Sequence, residues 1–268
     1  MLSRTCRVVI TLRPVKSLTT RLVGTTAEKV TPIIELREYQ LQCGNSARYI
    51  EVTTATEKLR KSLVPLRLFC APDTGGILNT MTHFYNYEGG MEERETARIT
   101  ASRSTEWKEY LSQARPNVIQ QRSTIYIESS LVQEHGLVGM KTEFVGATGA
   151  AKEVAADVIY EIKKYKLKLG YSVVPQFMEI YGRGITSKLR TPGTDPRTSL
   201  CSLMYSDVGD LNTVIEVWRH GGGVAAMRQS RIAAKALNDW NKAISDIANL
   251  SVDFTTTIHK PLSFSNWK

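Results

Sequence analysis

The chain carries one pattern twice. Glu35-Leu36-Arg37-Glu38-Tyr39-Gln40-Leu41-Gln42-Cys43-Gly44 returns as Glu161-Ile162-Lys163-Lys164-Tyr165-Lys166-Leu167-Lys168-Leu169-Gly170, an offset of 126. Asn79-Thr80 returns as Asn212-Thr213, Gly89-Gly90 as Gly222-Gly223, Arg98 as Arg231 and Trp107 as Trp240, all at an offset of 133. The extra residues of the second copy fall near Thr191–Arg197, where Pro192, Gly193 and Pro196 mark a loop. A register kept across a tryptophan, an arginine and a Gly-Gly pair is a duplication, and it requires two copies of one supersecondary unit.

Each copy reads as strand, helix, strand, strand, helix, strand. In the first, residues 33–41 are strand-like and close on Gly44, and residues 46–66 follow a helical pattern that ends at Pro65. A strand is expected around Leu66–Phe69, Met81–Tyr87 alternates as a strand, residues 91–112 read as a helix, and Gln121–Glu128 closes the copy. The second copy repeats this with Val158–Leu169, Val173–Leu189, Cys201–Tyr205, Thr213–Arg219, Ala225–Ile247 and Phe254–His259. The order β-α-β-β-α-β is the ferredoxin-like split βαβ motif, so the fold class is α+β. Two such copies in one chain are expected to pair their sheets as a pseudo-dimeric α/β barrel, burying apolar sheet faces that one copy would expose.

The division that follows is 1–30 as a targeting leader, 31–129 as the first domain, 130–156 as a linker and 157–268 as the second domain. The linker assignment rests on composition, with Gly136, Gly139, Gly146 and Gly149 among alanines. Residues 1–27 hold Arg4, Arg7, Arg13, Lys16 and Arg21, many hydroxyls and no acid before Glu28. That is the composition of a mitochondrial transit peptide. A plain basic tail is the simpler alternative. Arg7 and Arg13 interrupt the apolar run that a secretory signal needs.

The formal net charge of +9 points first toward nucleic acid. Its distribution points elsewhere. Residues 1–30 carry +5 and residues 31–129 balance, residues 130–156 carry −1, and residues 157–268 carry +5. Without the leader the chain is near +4, and no aromatic-rich RNA-binding strand pattern is present, so no nucleic-acid partner is expected. Cys6, Cys43, Cys70 and Cys201 form no CxxC pair, which argues against a disulfide framework or a zinc site. No apolar run is long enough to span a bilayer.

The strand openings IIELREYQLQCG and VIYEIKKYKLKLG resemble the NIPSNAP family, whose copies open on a Tyr-Glu-Leu-Arg-x-Tyr-x-Leu-x-Pro-Gly pattern. LNTMTHFYNYEGGMEERETAR and LNTVIEVWRHGGGVAAMRQSR are similar to the same family's next strand and helix start. Cys43 and Leu169 stand where the family usually has proline, and Ile34 where it often has tyrosine. The resemblance implies a dimeric α/β-barrel-type fold, mitochondrial association and a non-enzymatic adaptor role in mitochondrial quality control (mitophagy) or vesicular transport. It also implies protein partners, including autophagy-related ones, in a homo- or hetero-oligomer, with peripheral membrane association allowed. It supplies no agreed catalytic residues.

His83, Tyr85 and Tyr87 align with Glu216, Trp218 and His220 on the third strand of each copy. Arg98 and Arg231 align on the following helix, where a guanidinium could hold a carboxylate or phosphate bidentately. His83, Tyr85, Arg98, Glu216, Trp218 and Arg231 are therefore the candidate ligand-binding residues, and packing is the competing explanation for each. Strand parity decides which of them face a cavity, and periodicity does not say which parity that is. These residues would serve the alternative function, a small-molecule binder or monooxygenase-like enzyme using the space between sheet and helices. No catalytic residue is assigned and no cofactor is expected. His83, His135, His220 and His259 have no helical partner at metal-ligand spacing, so no metal is expected. Gly136–Thr142 resembles a phosphate loop, but Met140 separates glycine from lysine. Gly221–Gly223 fits a tight strand-to-helix turn better than an anion site, because its counterpart begins with Glu88.

Overall fold

The computed structural model of the protein describes residues 30–142 and 158–267. The expected leader, up to residue 29, residues 143–156 of the expected linker and residue 157 of the expected second domain lie outside them. The first copy contributes β1 (Ile33–Leu41), α1 (Ser46–Ala55), α2 (Glu57–Leu63), β2 (Leu66–Thr74), β3 (Thr80–Tyr87), α3 (Gly90–Arg103), α4 (Thr105–Ala114) and β4 (Val118–Glu128). After α5 (Ser130–Glu134), the second copy contributes β5 (Ile159–Leu167), α6 (Val173–Leu189), β6 (Thr198–Val208), β7 (Thr213–His220), α7 (Gly223–Ala234), α8 (Asn238–Leu250) and β8 (Ser251–Pro261).

The eight strands close into one antiparallel barrel in the order β1-β3-β2-β8-β5-β7-β6-β4. Within each copy the ferredoxin-like order is kept. The copies join edge to edge, β2 on β8 and β4 on β6, so that each copy covers the open strand edges of the other. The tandem α+β architecture and the pseudo-dimeric barrel expected from the duplication are present.

Three expected helices are each two. α1 stops at Thr56, whose Oγ1 bonds back to the Val52 and Thr53 carbonyls. α3 stops at Ser104, which is extended and whose Oγ accepts the Trp107 N–H to start α4. The third break falls at 235–237, where Lys235 and Leu237 close short turns onto the Ile232 and Ala234 carbonyls. Hydrophobic periodicity continues through all three breaks and hides them.

The linker assignment is corrected for residues 130–142. Val132 of α5 is buried in the helix-side core of the second copy, and Met140 is buried inside the barrel. A glycine-rich composition here serves turns, at Gly136 and Gly139, rather than a flexible spacer. The expected turn at the Gly-Gly pairs is also present: Gly90 and Gly223 have φ of +71° and +66° at the starts of α3 and α7. A Cβ at Gly90 would sit 3.0 Å from the Thr31 carbonyl oxygen.

Residues alternate between two environments along each strand. Ile34, Leu36, Phe84, Tyr126, Tyr160, Ile162, Ile215 and Val217 fill the barrel interior. Ile33, Met81, Tyr85 and Tyr87 face the first copy's helices, and Tyr165, Leu167, Val214 and Trp218 face the second's. The barrel end at which β1 and β5 begin is plugged by Met140 and Trp267. The Trp267 ring stacks on Tyr160 with centroids 6.2 Å apart, and its Nε1 donates to the Thr142 carbonyl.

Candidate functional site

The predicted site residues all lie outside the barrel, on the helix side of the sheet. His83 and Tyr85 come together: His83 Nδ1 is 3.2 Å from Tyr85 Oη. The His83 ring stacks on Phe69 at 3.8 Å and tilts against Tyr39 at 4.7 Å. Burial, with the Arg60 and Arg37 charges beside it, holds its pKa well below the ordinary histidine value. Glu216 and Trp218 also come together. Fully buried, Glu216 accepts from Tyr165 Oη at 2.5 Å, Trp218 Nε1 at 2.5 Å and Lys163 Nζ at 3.4 Å.

Arg98 and Arg231 meet neither cluster. Each reaches the matched glutamate of its own copy. Arg231 donates to Glu161 Oε1 at 2.6 Å, while Arg98 lies 4.0 Å from Glu35 and yields the close contact to Arg94 at 2.6 Å. Burial raises both glutamate carboxyls, and the cations reverse it. Arg37, Arg94 and Ser123 bring Glu35 to about 2, and His220, Lys163 and Arg231 bring Glu161 to about 2. These are braces between helix and sheet. The aligned Tyr87 and His220 finish the same braces, 3.4 Å from Glu35 and 3.1 Å from Glu161.

A second matched feature is a buried cation under each helix layer. Arg60 donates to the hydroxyls of Tyr85 at 2.9 Å and Tyr110 at 2.5 Å and lies over the Phe69, Trp107 and Tyr110 rings. Lys188 bonds the Ser230 carbonyl and hydroxyl and lies over Trp218. Burial pulls its pKa down to about 8.

A space open to a ligand lies inside the barrel. A cavity of about 220 Å³ enters at the end where β1 and β5 finish. Its mouth carries the exposed Gln120, Arg122, Ile77 and Thr255 together with Glu38, Gln40 and Lys164. Its deeper wall is apolar and buried, formed by Leu36, Phe84, Ile162 and Ile215, and His259 lies at its base. His259 accepts or donates at Nε2 with Thr257 Oγ1 at 2.8 Å, and its Nδ1 has no hydrogen-bond partner among the described residues. Burial lowers its pKa to about 4, so the ring is neutral at physiological pH.

None of these lining residues is among the predicted candidates. The usable signal was parity: Glu38 and Lys164 are each two residues from an interior aliphatic, Leu36 and Ile162, on the same face of their strands. Among the described residues, no group of three His, Cys, Asp or Glu side chains could hold a metal ion, and no helix is long and apolar enough to cross a membrane.

The barrel is similar to solved structures at low identity. A candidate monooxygenase from Fusobacterium nucleatum shares 8% identity and a TM-score of 0.58, with 87% of this chain and 94% of that one covered. One from Lactobacillus acidophilus gives 9% identity and a TM-score of 0.53, covering 86% and 94%. An anthrone oxidase-like protein gives 10% and 0.52, covering 87% and 92%. At these identities the likeness is one of fold, and it extends over both copies. No curated protein matches the sequence significantly. The NIPSNAP family model matches residues 34–132, the whole of the first copy's barrel half. Residues 34–132 match the NIPSNAP domain, and the barrel half that they form is completed by the chain's own second copy.

Proposed function

We propose that the protein is a mitochondrial small-molecule binder that takes its ligand into the open end of the barrel. The observation that carries this reading is the cavity, with a charged and hydrogen-bonding mouth above a buried apolar wall, the usual composition of a small-molecule site. The helix-side space of the original alternative is a poorer candidate. There, Glu216, His83 and Arg60 are enclosed by aromatic and polar side chains of the same chain. The structural likeness to candidate monooxygenases supports a barrel of a kind associated with small molecules, without assigning a reaction. Mitochondrial delivery is supported by the basic stretch 1–27 of the leader, which holds no acid. Native mass spectrometry of the purified protein tests the binding reading. A retained organic molecule of constant mass, lost on unfolding, is the expected result. A fusion of residues 1–30 to a reporter tests delivery, and a cytosolic reporter would contradict it.

An adaptor role is the second reading, and one surface favours it. Leu169, Tyr171 and Leu211 are exposed along a wide groove that also includes Val174 and Met178. Exposed apolar clusters of this kind serve protein contacts. Replacing Leu169 and Tyr171 by aspartate should then remove partners from a pull-down while leaving the fold intact.

A further inference from the structure

Charge at the barrel mouth is unequal between the two copies, and the inequality defines what the cavity can hold. β1 and β5 are equivalent strands, so Glu38 and Lys164 occupy equivalent interior positions. In the first copy, Glu38 faces Arg122 across the β1–β4 ladder, and the two form an ion pair at 3.9 Å. In the second copy, Lys164 faces Thr255 across the β5–β8 ladder and Ile215 across the β5–β7 ladder. Neither neighbour supplies a counter-charge. Lys164 makes no ion pair among the described residues. Its field reaches Asp210, but that carboxylate is already bonded by Lys166 and shared with Thr213. The mouth therefore holds one cation in excess.

Below the lysine the wall is apolar. Ile162 is two residues down the same strand, and Leu36, Phe84 and Ile215 complete the wall. His259 pairs with Tyr160, four residues below Lys164, which at about 3.3 Å per residue puts the floor about 13 Å from the lysine. The floor adds no charge, and its unpartnered nitrogen is a buried polar atom of the kind that a bound molecule or ordered water satisfies.

Resting on the reading that the open barrel end binds a small molecule, we propose that the ligand is an organic monoanion, a carboxylate on an apolar body. Its charged end pairs with Lys164, and its body lies along Leu36, Phe84, Ile162 and Ile215. A polyanion would exceed the one cation left free at the mouth among the described residues, and would meet Glu38. A cation would be repelled by Lys164 while Glu38 is held by Arg122.

Calorimetric titration of the full chain with octanoate, octanol and octylammonium tests this. Octanoate should bind at least about fivefold more tightly than either other compound, as one charge-assisted contact in a partly exposed site allows. Lys164→Gln should weaken octanoate about tenfold and leave octanol unchanged. Glu38→Gln, which frees Arg122, should tighten octanoate, and this gain keeps the test decisive if the lysine variant folds poorly. Equal binding of all three compounds, or tighter binding of octylammonium, overturns the monoanion while leaving the cavity a binding site. No binding of any of the three also overturns it. The binding reading itself then falls as well if native mass spectrometry finds no retained molecule.

Discussion

Arg231 Nη2 lies 2.6 Å from Glu161 Oε1 and ties α7 to β5. In the first copy the same job at the matched Glu35 falls to Arg94, one helical turn before Arg98, the residue aligned with Arg231. The duplication has preserved the buried carboxylate and moved its cation by a turn.

This brace makes stability depend on pH in a defined direction. The folded pKa values of Glu35 and Glu161 are depressed to about 2, so their contribution is complete above the ordinary carboxylate range and is lost as pH falls toward 2. Glu161→Gln should cost about 3 kcal/mol at pH 7, since it leaves Arg231 and His220 without their carboxylate. Urea unfolding should show the gap between wild type and variant narrowing between about pH 4.5 and pH 2. A gap that stays constant would refute the brace.

Arg60 is buried with no carboxylate in contact among the described residues, held by two phenols and three rings. Arg60→Ala would take one hydrogen bond each from the Tyr85 and Tyr110 hydroxyls and empty the space, at a cost of about 3 kcal/mol in denaturant unfolding measurements. Lys58→Ala, on the same helix but exposed, should change stability by less than about 0.5 kcal/mol.

Gly90 and Gly223 start α3 and α7 with positive φ. Either glycine changed to alanine should lower stability by about 1–2 kcal/mol, and at Gly90 a Cβ also crowds the Thr31 carbonyl. An unchanged melting temperature for either alanine variant would contradict the turn geometry.

Cys70 and Cys201 are buried inside the barrel, and burial pushes the Cys201 thiol up to about 12 and that of Cys70 higher still. Peptide mapping after thiol labelling at pH 8 should find Cys43 modified in the native protein and Cys70 and Cys201 modified only in denaturant.

Much of the architecture was legible because a duplication supplies its own control. Tyr39 and Tyr165, Gly90 and Gly223, and Trp107 and Trp240 hold equivalent places in the barrel halves, as their constant offsets require. The site was less legible for a specific reason. Both faces of β3 are buried, Met81 through Tyr87 without a break, so alternation there carries no sign of which face meets the helices. His83, Tyr85, Glu216 and Trp218 drew attention by chemistry, yet chemistry buried under helices is mostly packing. Glu38, Arg122 and Lys164 look like ordinary strand charges until closure of the barrel turns them inward. Helix breaks at Thr56 and Ser104 depend on side-chain bonds to the backbone, which periodicity does not register.

The most direct test of the barrel cavity as the binding site is a methyl-resolved NMR titration of the full chain with octanoate. The lumenal methyls of Leu36, Ile162 and Ile215 should shift in a saturable way, while those of Val214 and Leu203, on the helix side, stay in place. Saturable shifts at Val214 and Leu203 with the lumenal methyls unmoved would contradict the account and return the site to the space between sheet and helices.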